Sequence, residues 1–396
     1  MTNAQLAARH QAALIGNYGK LPAALIRGQG SQLWDADGKE YIDLFAGLGG
    51  TILGHCHPAL VKAITDQAHT VWAVGNQFYT EPQIRLAEHL KEKAFDGRTF
   101  FCHSGAEAAE AAIKLARISA RTITGQDRFK IISFHKGFHG RTLGALSATP
   151  GKYQDGFTPL TPGFAHATYN DLASVTALVD AQTAGIIIEP IQGEGGVNMP
   201  DPAFLPALRK LCDENKIALI FDEVWTGVGR TGRYFGHHHF GVTPDIMTMG
   251  KALGGGIPVG GIHARPEFAK YFVPGTHGCT LGGNPLCAAV GAAIFDALVK
   301  DNLLAHANAM SDVAQSAIRG FKNAARVKDV RGKGLMLGIE LNAADGTPAL
   351  NAALARGLII NVTRSNVIRL CPAVTIDRAT LERGLAILDE ALAALS

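Results

Sequence analysis

The chain has 396 residues, 47% of them apolar and 18% charged, which supplies a large core and excludes intrinsic disorder. Lysine and arginine total 37 against 34 aspartates and glutamates, a formal net charge of +3 without any run of like charges, so no nucleic-acid or membrane-surface footprint is expected. Cys56, Cys102, Cys212, Cys279, Cys287 and Cys371 are scattered with no Cys-x-x-Cys pair, which argues against a disulfide framework or a zinc site and suits a reducing cytoplasm.

The N-terminal run MTNAQLAARHQAALIGNYG is interrupted by Arg9, His10 and Gln11, so it is not expected to act as a secretory signal. Residues 30–45 read as a hairpin turning at Asp37-Gly38. From about residue 60 to 300, short apolar runs alternate with helical patterns. The runs at 99–102, 130–134, 185–189, 217–221, 246–249 and 259–263 read as strands buried on both faces. Helices are predicted over 106–120, which is rich in alanine, and over 201–215, with Pro202 near its first turn. This alternation predicts an open α/β domain with a mostly parallel sheet. The stretch 271–295 lacks Lys, Arg, Asp and Glu, but Pro274, Gly282-Gly283 and Pro285 break it, predicting loop then helix rather than a membrane span. Beyond residue 300, amphipathic helices mix with short strands at 334–341 and 367–370. The expected organisation is a large domain over 61–299 and a smaller α+β domain built from 1–60 and 300–396 together.

Glycine is the compositional outlier, 46 residues clustered in short loops, a pattern that suits close approach of backbone to a ligand. Two glycine motifs fail on context. Gly227-Val-Gly229-Arg-Thr-Gly232 matches a dinucleotide fingerprint, yet RYFGHHHFGVTP follows it where a helix should open. Gly250-Lys251 lacks the first glycine of a triphosphate loop, which would fall at Asp245, and Ala252 stands where Ser or Thr is needed. The histidines of His237-His238-His239 and His55-Cys56-His57 lack metal-ligand spacing and read as loop or packing residues, so no metal is expected.

One constellation carries chemistry. Lys251 follows a strand and precedes Ala-Leu-Gly-Gly-Gly, a setting where a lysine can be desolvated, lose its proton and form a Schiff base. Asp222 ends another strand, at the edge that faces the ligand crevice in such sheets. Ser104-Gly105-Ala106 opens a helix directly after a strand, which offers free N–H groups and a positive dipole end to an anion. An aldehyde-binding lysine, an acid for a pyridinium nitrogen and a phosphate cradle are together the requirements of pyridoxal 5'-phosphate (PLP).

With these residues in order, the chain resembles the class III PLP-dependent aminotransferases of fold type I over nearly its whole length. The stretches that carry the resemblance are SGAEAAEAAIKLAR (104–117), FHGRTLGALSAT (138–149), EPIQGEGG (189–196), FDEVWTGVGRTG (221–232), PDIMTMGKALGGGIPVGG (244–261) and TLGGNP (280–285). By position, the resemblance implies that Lys251 holds the cofactor and shuttles the proton, and that Asp222 pairs with the pyridinium nitrogen. Phe138 and Val224 would cover the two ring faces. Ser104, Gly105 and Ala106 would cradle the phosphate, with Thr280 reaching it from the neighbouring subunit of a homodimer. Arg141 would clamp a substrate carboxylate, and Tyr18 lies in an entrance segment. Arg369 matches the family's second arginine and Glu194 the acid that masks it while the amino donor is bound. The implied reaction moves the terminal amino group of N2-acetylornithine to 2-oxoglutarate, as in arginine biosynthesis. Ornithine, succinylornithine or 4-aminobutyrate are the alternative donors. The chain departs from the family at Trp225, where a glutamine that contacts the cofactor's phenolic oxygen is usual. It also departs at His103 and Ala109, where asparagine is common, and over 47–51 (GLGGT).

Overall fold

The computed structural model describes residues 1–395. Its central element is a seven-stranded sheet whose strands run in the spatial order Arg98–Cys102, Gly260–Ala264, Ile246–Met249, Ala218–Asp222, Thr183–Ile188, Lys130–Phe134 and Phe164–Ala167. Only Gly260–Ala264 is antiparallel to its neighbours; the other contacts between adjacent strands are parallel. Five of the six expected strands differ from these by at most one residue at either end, and 185–189 begins two residues earlier, at Thr183. Phe164–Ala167 was not foreseen, because FAHA is too short and too weakly apolar to register.

Both faces of the sheet are covered, and the alternation of its side chains explains why the strands read as unbroken apolar runs. Ile187, Ala218 and Ile220 meet the alanine face of the helix Gly105–Thr124. Ile186, Ile188, Leu219 and Phe221 meet Leu205, Leu208 and Cys212 of the helix Phe204–Asn215. That second helix starts later than predicted, with Ala203 as its N-cap, so Pro202 precedes the helix instead of opening it. The uncharged stretch resolves into a loop and the helix Pro285–Lys300, and among the described residues no helix is long and apolar enough to cross a membrane.

Two four-stranded sheets flank this body. Leu25–Gln29, Gln32–Asp35 and Glu40–Asp43 form an antiparallel meander, and Leu358–Ile359 from the C-terminal segment adds to it in parallel. The turn after Asp35 sits where expected. Val327–Lys333, Met336–Leu341, Val367–Leu370 and Asn361–Thr363 form the other sheet, wholly antiparallel. The largest apolar cluster runs continuously from Ile42 and Leu44 through Leu253 and Phe295 to Leu388 and Leu395, so the terminal segments are packed onto the central body rather than tethered to it.

The topology positions the site. Since Arg98–Cys102 points the same way as the five parallel strands, Ser104, Lys251, Asp222, Glu189 and the loop after Phe134 all emerge at one edge. Carboxyl ends of parallel strands are where open α/β sheets bind ligands.

Candidate active site

Lys251 follows the strand Ile246–Met249 and opens a 3-10 turn in the left-handed region at φ 41°, an uncommon conformation for a side chain with a Cβ. Its side chain keeps some solvent contact through the cleft, yet the amine lies deep in the protein. Burial lowers its pKa, while the charges of Asp222, Glu189 and Glu194 pull it the other way. Its Nζ lies 4.3 Å from the centre of the Trp225 ring.

Asp222 is buried at the end of its strand. Its Oδ1 accepts the N–H of Val224 at 3.1 Å, and its Oδ2 lies 2.7 Å from His139 Nδ1. The carboxylate accepts, so Nδ1 carries the proton; His139 Nε2 is then buried with no partner. Sequence reasoning gave His139 no role, although it lies inside the segment 138–149. Glu189 was also passed over. It accepts the N–H groups of Phe138 and Gly193, each at 2.9 Å, and thereby ties two loops of the site together. Burial, reinforced by the charge of Asp222 and opposed by His139, raises its pKa to about 7.

The cradle is built at the start of the helix Gly105–Thr124. Ser104 is its N-cap, with Oγ accepting the N–H of Glu107 at 3.2 Å. Ala108 makes the first helical bond, to the Ser104 carbonyl, which leaves the N–H groups of Gly105 and Ala106 for a ligand. Val224 presses against this turn: a Cβ on Gly105 would meet it at 2.8 Å, so only glycine lets the strand-end valine and the cradle coexist. Phe138 is half-buried and packs edge-on against Tyr153 at 5.5 Å. The exposed guanidinium of Arg141 lies over Tyr153 at 4.1 Å and Phe138 at 5.5 Å and makes no ion pair among the described residues.

Arg369 contrasts with it. Its side chain is only 3% exposed, and it pairs with Glu194 at 2.9 Å through Nη1. Nε and Nη2 both donate to Oδ1 of Asn361, the residue opposite it on the neighbouring strand. Asn361 is a third residue that the sequence did not single out.

Tyr18 and Thr280 lie apart from this cluster, both on the surface of the single chain. The rejected glycine motif proves structural. No α-helix opens at Gly232, only a 3-10 turn over Gly236–His239, and the fully buried Arg230 inside the motif donates to the carbonyls of Leu335, Pro372 and Gly49. His237 is likewise structural, its ring and N–H bound to the buried Glu223. A buried acid, two unclaimed N–H groups and a desolvated lysine at one sheet edge fit the pyridine, phosphate and aldehyde of PLP.

Comparison with known proteins agrees. The chain is 44% identical over 381 residues to the acetylornithine aminotransferase of Caldanaerobacter subterraneus subsp. tengcongensis, covering 96% of this chain and 97% of the relative. The acetylornithine aminotransferase of Methanocaldococcus jannaschii is also 44% identical, with 94% of each chain covered. In structure the chain matches the ornithine aminotransferase of Toxoplasma gondii with a TM-score of 0.95 at 31% identity, covering 100% of this chain and 96% of that one. That enzyme has been seen with partial occupancy of PLP at its active site. A family model for aminotransferase class-III matches residues 15–392, and the chain therefore belongs to the class III aminotransferases, which are PLP-dependent enzymes.

Proposed function

We propose that the protein transfers the terminal amino group of N2-acetylornithine to 2-oxoglutarate, yielding N-acetylglutamate 5-semialdehyde and glutamate, a step of arginine biosynthesis. The observation that carries this reading is the unequal pair of arginines, one open and one masked by Glu194. Acetylornithine brings one free carboxylate, whereas 2-oxoglutarate brings two. Arg141 serves the carboxylate common to both, and the flat guanidinium fork suits it. Arg369 serves the second carboxylate once Glu194 has moved aside. Glu194 is the partner free to move: its side chain is 23% exposed, and Arg369 is its one side-chain partner.

Bound PLP supplies the electron sink that loosens the C–H bond beside the donor's nitrogen. Lys251, with its pKa lowered by burial, would take that proton and hand it to the cofactor within the same half-reaction, and would run the transfer in the opposite direction in the second. Asp222, oriented by His139 and by the Val224 N–H, would face the pyridine nitrogen and favour its protonated form. Ser104, Gly105 and Ala106 would hold the phosphate, and Phe138 and Val224 would cover the ring faces.

The same reading makes the protein a cytoplasmic homodimer. Trp72, Phe78, Tyr79 and Leu281 are large apolar side chains more than 45% exposed, an unusual concentration for a free surface. They belong to the same loops as a groove of about 870 Å³ lined by Asn76, Phe101, Cys279 and Thr280. A second copy seated there covers these side chains and brings Thr280 to the partner's cradle, with Tyr18 at the entrance. Mixing Lys251→Ala with a Thr280→Ala variant should restore activity in heterodimers; a fully active monomer refutes the shared site.

A panel of amino donors with 2-oxoglutarate as acceptor tests the substrate. Acetylornithine should exceed ornithine, succinylornithine and 4-aminobutyrate in kcat/KM, and a higher value for any of these three reassigns the donor.

A further inference from the structure

Trp225 and the segment 47–51 depart from the family's pattern separately in sequence but meet in the structure. The Trp225 side chain is 5% exposed. A Cβ on Gly49 would lie 2.7 Å from its Nε1, and a Cβ on Gly193 would lie 2.6 Å from its Cε3. Gly49 has φ +77°, which itself favours glycine, whereas Gly193 has no such backbone need and a side chain there would meet the indole. The ring therefore occupies a slot cut by two glycines from segments 144 residues apart (193 − 49).

The occupant of this slot touches both working ends of the site. Lys251 Nζ lies 4.3 Å from the ring centre and Arg369 Cζ 4.4 Å from it. Phe45 adds a second ring, 5.3 Å from the same guanidinium and 6.2 Å from the indole. The rim of the guanidinium is bonded to Asn361, Glu194 and the Gly193 carbonyl, so aromatic contact supplements polar contact. Removing Glu194 would leave Asn361 and the indole to hold the arginine. The indole N–H finds no oxygen or nitrogen; only the sulfur of Cys371, a weak acceptor, lies near it. Its polar group is thus idle, and its aromatic face is what the neighbouring cations use. A desolvated guanidinium is attracted to such a face by the ring quadrupole.

We propose that Trp225 is a positioning residue for the dicarboxylate subsite: with Asn361 it keeps Arg369 in place when Glu194 leaves, and Gly49 and Gly193 supply the space it needs. The chain has exchanged a side chain that hydrogen-bonds for one that stacks. The inference rests on Arg369 being the ligand of the second carboxylate.

Glutarate, a five-carbon dicarboxylate without a reactive keto or amino group, tests it by calorimetric titration of the holoenzyme. Trp225→Leu should weaken glutarate binding about tenfold while Trp225→Phe stays within roughly threefold, because the aromatic face is retained. The KM for the amino donor should stay within about threefold in both, since only the dicarboxylate needs Arg369. Gly193→Ala, at a backbone that does not itself call for glycine, should push the indole aside and cost a similar factor, but cost nothing further in the Trp225→Leu background. Should Trp225→Leu not fold, Trp225→Gln carries the same expectation. Glutarate binding that is unchanged in these variants, or lost equally with donor affinity, overturns the positioning role. Arg369→Ala is measured alongside: if it leaves glutarate binding unchanged, it is the reading of Arg369 that fails.

Discussion

Arg141 and Arg369 belong to one site but are held in contrasting ways. Arg141 projects from the loop after the strand Lys130–Phe134, exposed, without an ion pair, resting on Tyr153. Arg369 is fixed within a strand, nearly inaccessible, with every nitrogen of its guanidinium bonded to Asn361, Glu194 or the Gly193 carbonyl. An open cation binds any carboxylate that arrives. A cation already neutralised by a mobile acid binds only a ligand able to displace that acid. The two arginines are joined through Glu189, which holds the backbone of Phe138 beside Arg141 and of Gly193 beside Arg369. Under the proposed function, one site would thus meet a monocarboxylate and a dicarboxylate with different numbers of cations.

The sharpest way to break this comparison is to remove the group both arginines serve. Lys251→Ala should abolish turnover by several orders of magnitude, because cofactor attachment and proton transfer both depend on the amine. Its fold should survive, since the lysine contributes no core packing. Borohydride reduction and peptide mapping of the native enzyme should place the pyridoxyl group on Lys251; a label elsewhere ends the assignment. Asp222→Asn should follow, with a loss of roughly a hundredfold or more, since a neutral amide no longer favours a protonated pyridine. Near-native kcat in that variant would mean that another acid does this work.

The arginines themselves come next. Losing one charge-assisted carboxylate contact costs about 1.5–3 kcal/mol, so Arg369→Ala should lose roughly ten- to a hundredfold in the glutamate half-reaction and little in the donor one. Arg141→Ala should lose in both. Glu194→Ala should speed the glutamate half-reaction relative to the donor one, because Arg369 is then unmasked. Half-reactions followed separately by cofactor absorbance decide this. Equal slowing of both by Glu194→Ala and Arg369→Ala would make the pair a static strut.

Legibility in the sequence followed the same division. Six strands of the central sheet were visible because burial on both faces leaves unbroken apolar runs, and the cradle was visible because a strand followed by Ser-Gly and an alanine-rich helix is a local pattern. Lys251, Asp222 and Ser104 were readable for that reason: each stands at the end or start of an element. Asn361, Glu189 and His139 were not. Asn361 gains its role from cross-strand register with Arg369, Glu189 from two backbone N–H groups on separate loops, and His139 from an acid 83 residues away. None leaves a trace in spacing. Likewise, Trp225 and the 47–51 segment were visible as departures, but only the fold shows that Gly49 makes room for the indole.

The last expected effect concerns Glu189, the link between the loops of Phe138 and Gly193, and it falls on stability rather than turnover. Burial raises its pKa from 4.5 to about 7, so the folded protein favours the protonated acid more than the unfolded chain does. For a raised pKa the sign is fixed: the contribution is fully present below the unfolded value and is lost as pH climbs through the folded value. From about pH 4.5 to pH 7, ionisation of Glu189 should therefore remove stability, on the order of 3 kcal/mol at most, and above that window the loss should level off. Glu189→Gln cannot ionise. It keeps one acceptor oxygen for the two N–H groups of Phe138 and Gly193, at a pH-independent cost of about 1 kcal/mol. The stability difference between native enzyme and variant, from urea midpoints, should then favour the native enzyme most near pH 5 and shrink or reverse by pH 8. Two curves that run parallel across this range would show that Glu189 is already ionised at pH 5, and that the link between the loops of Phe138 and Gly193 is a carboxylate throughout.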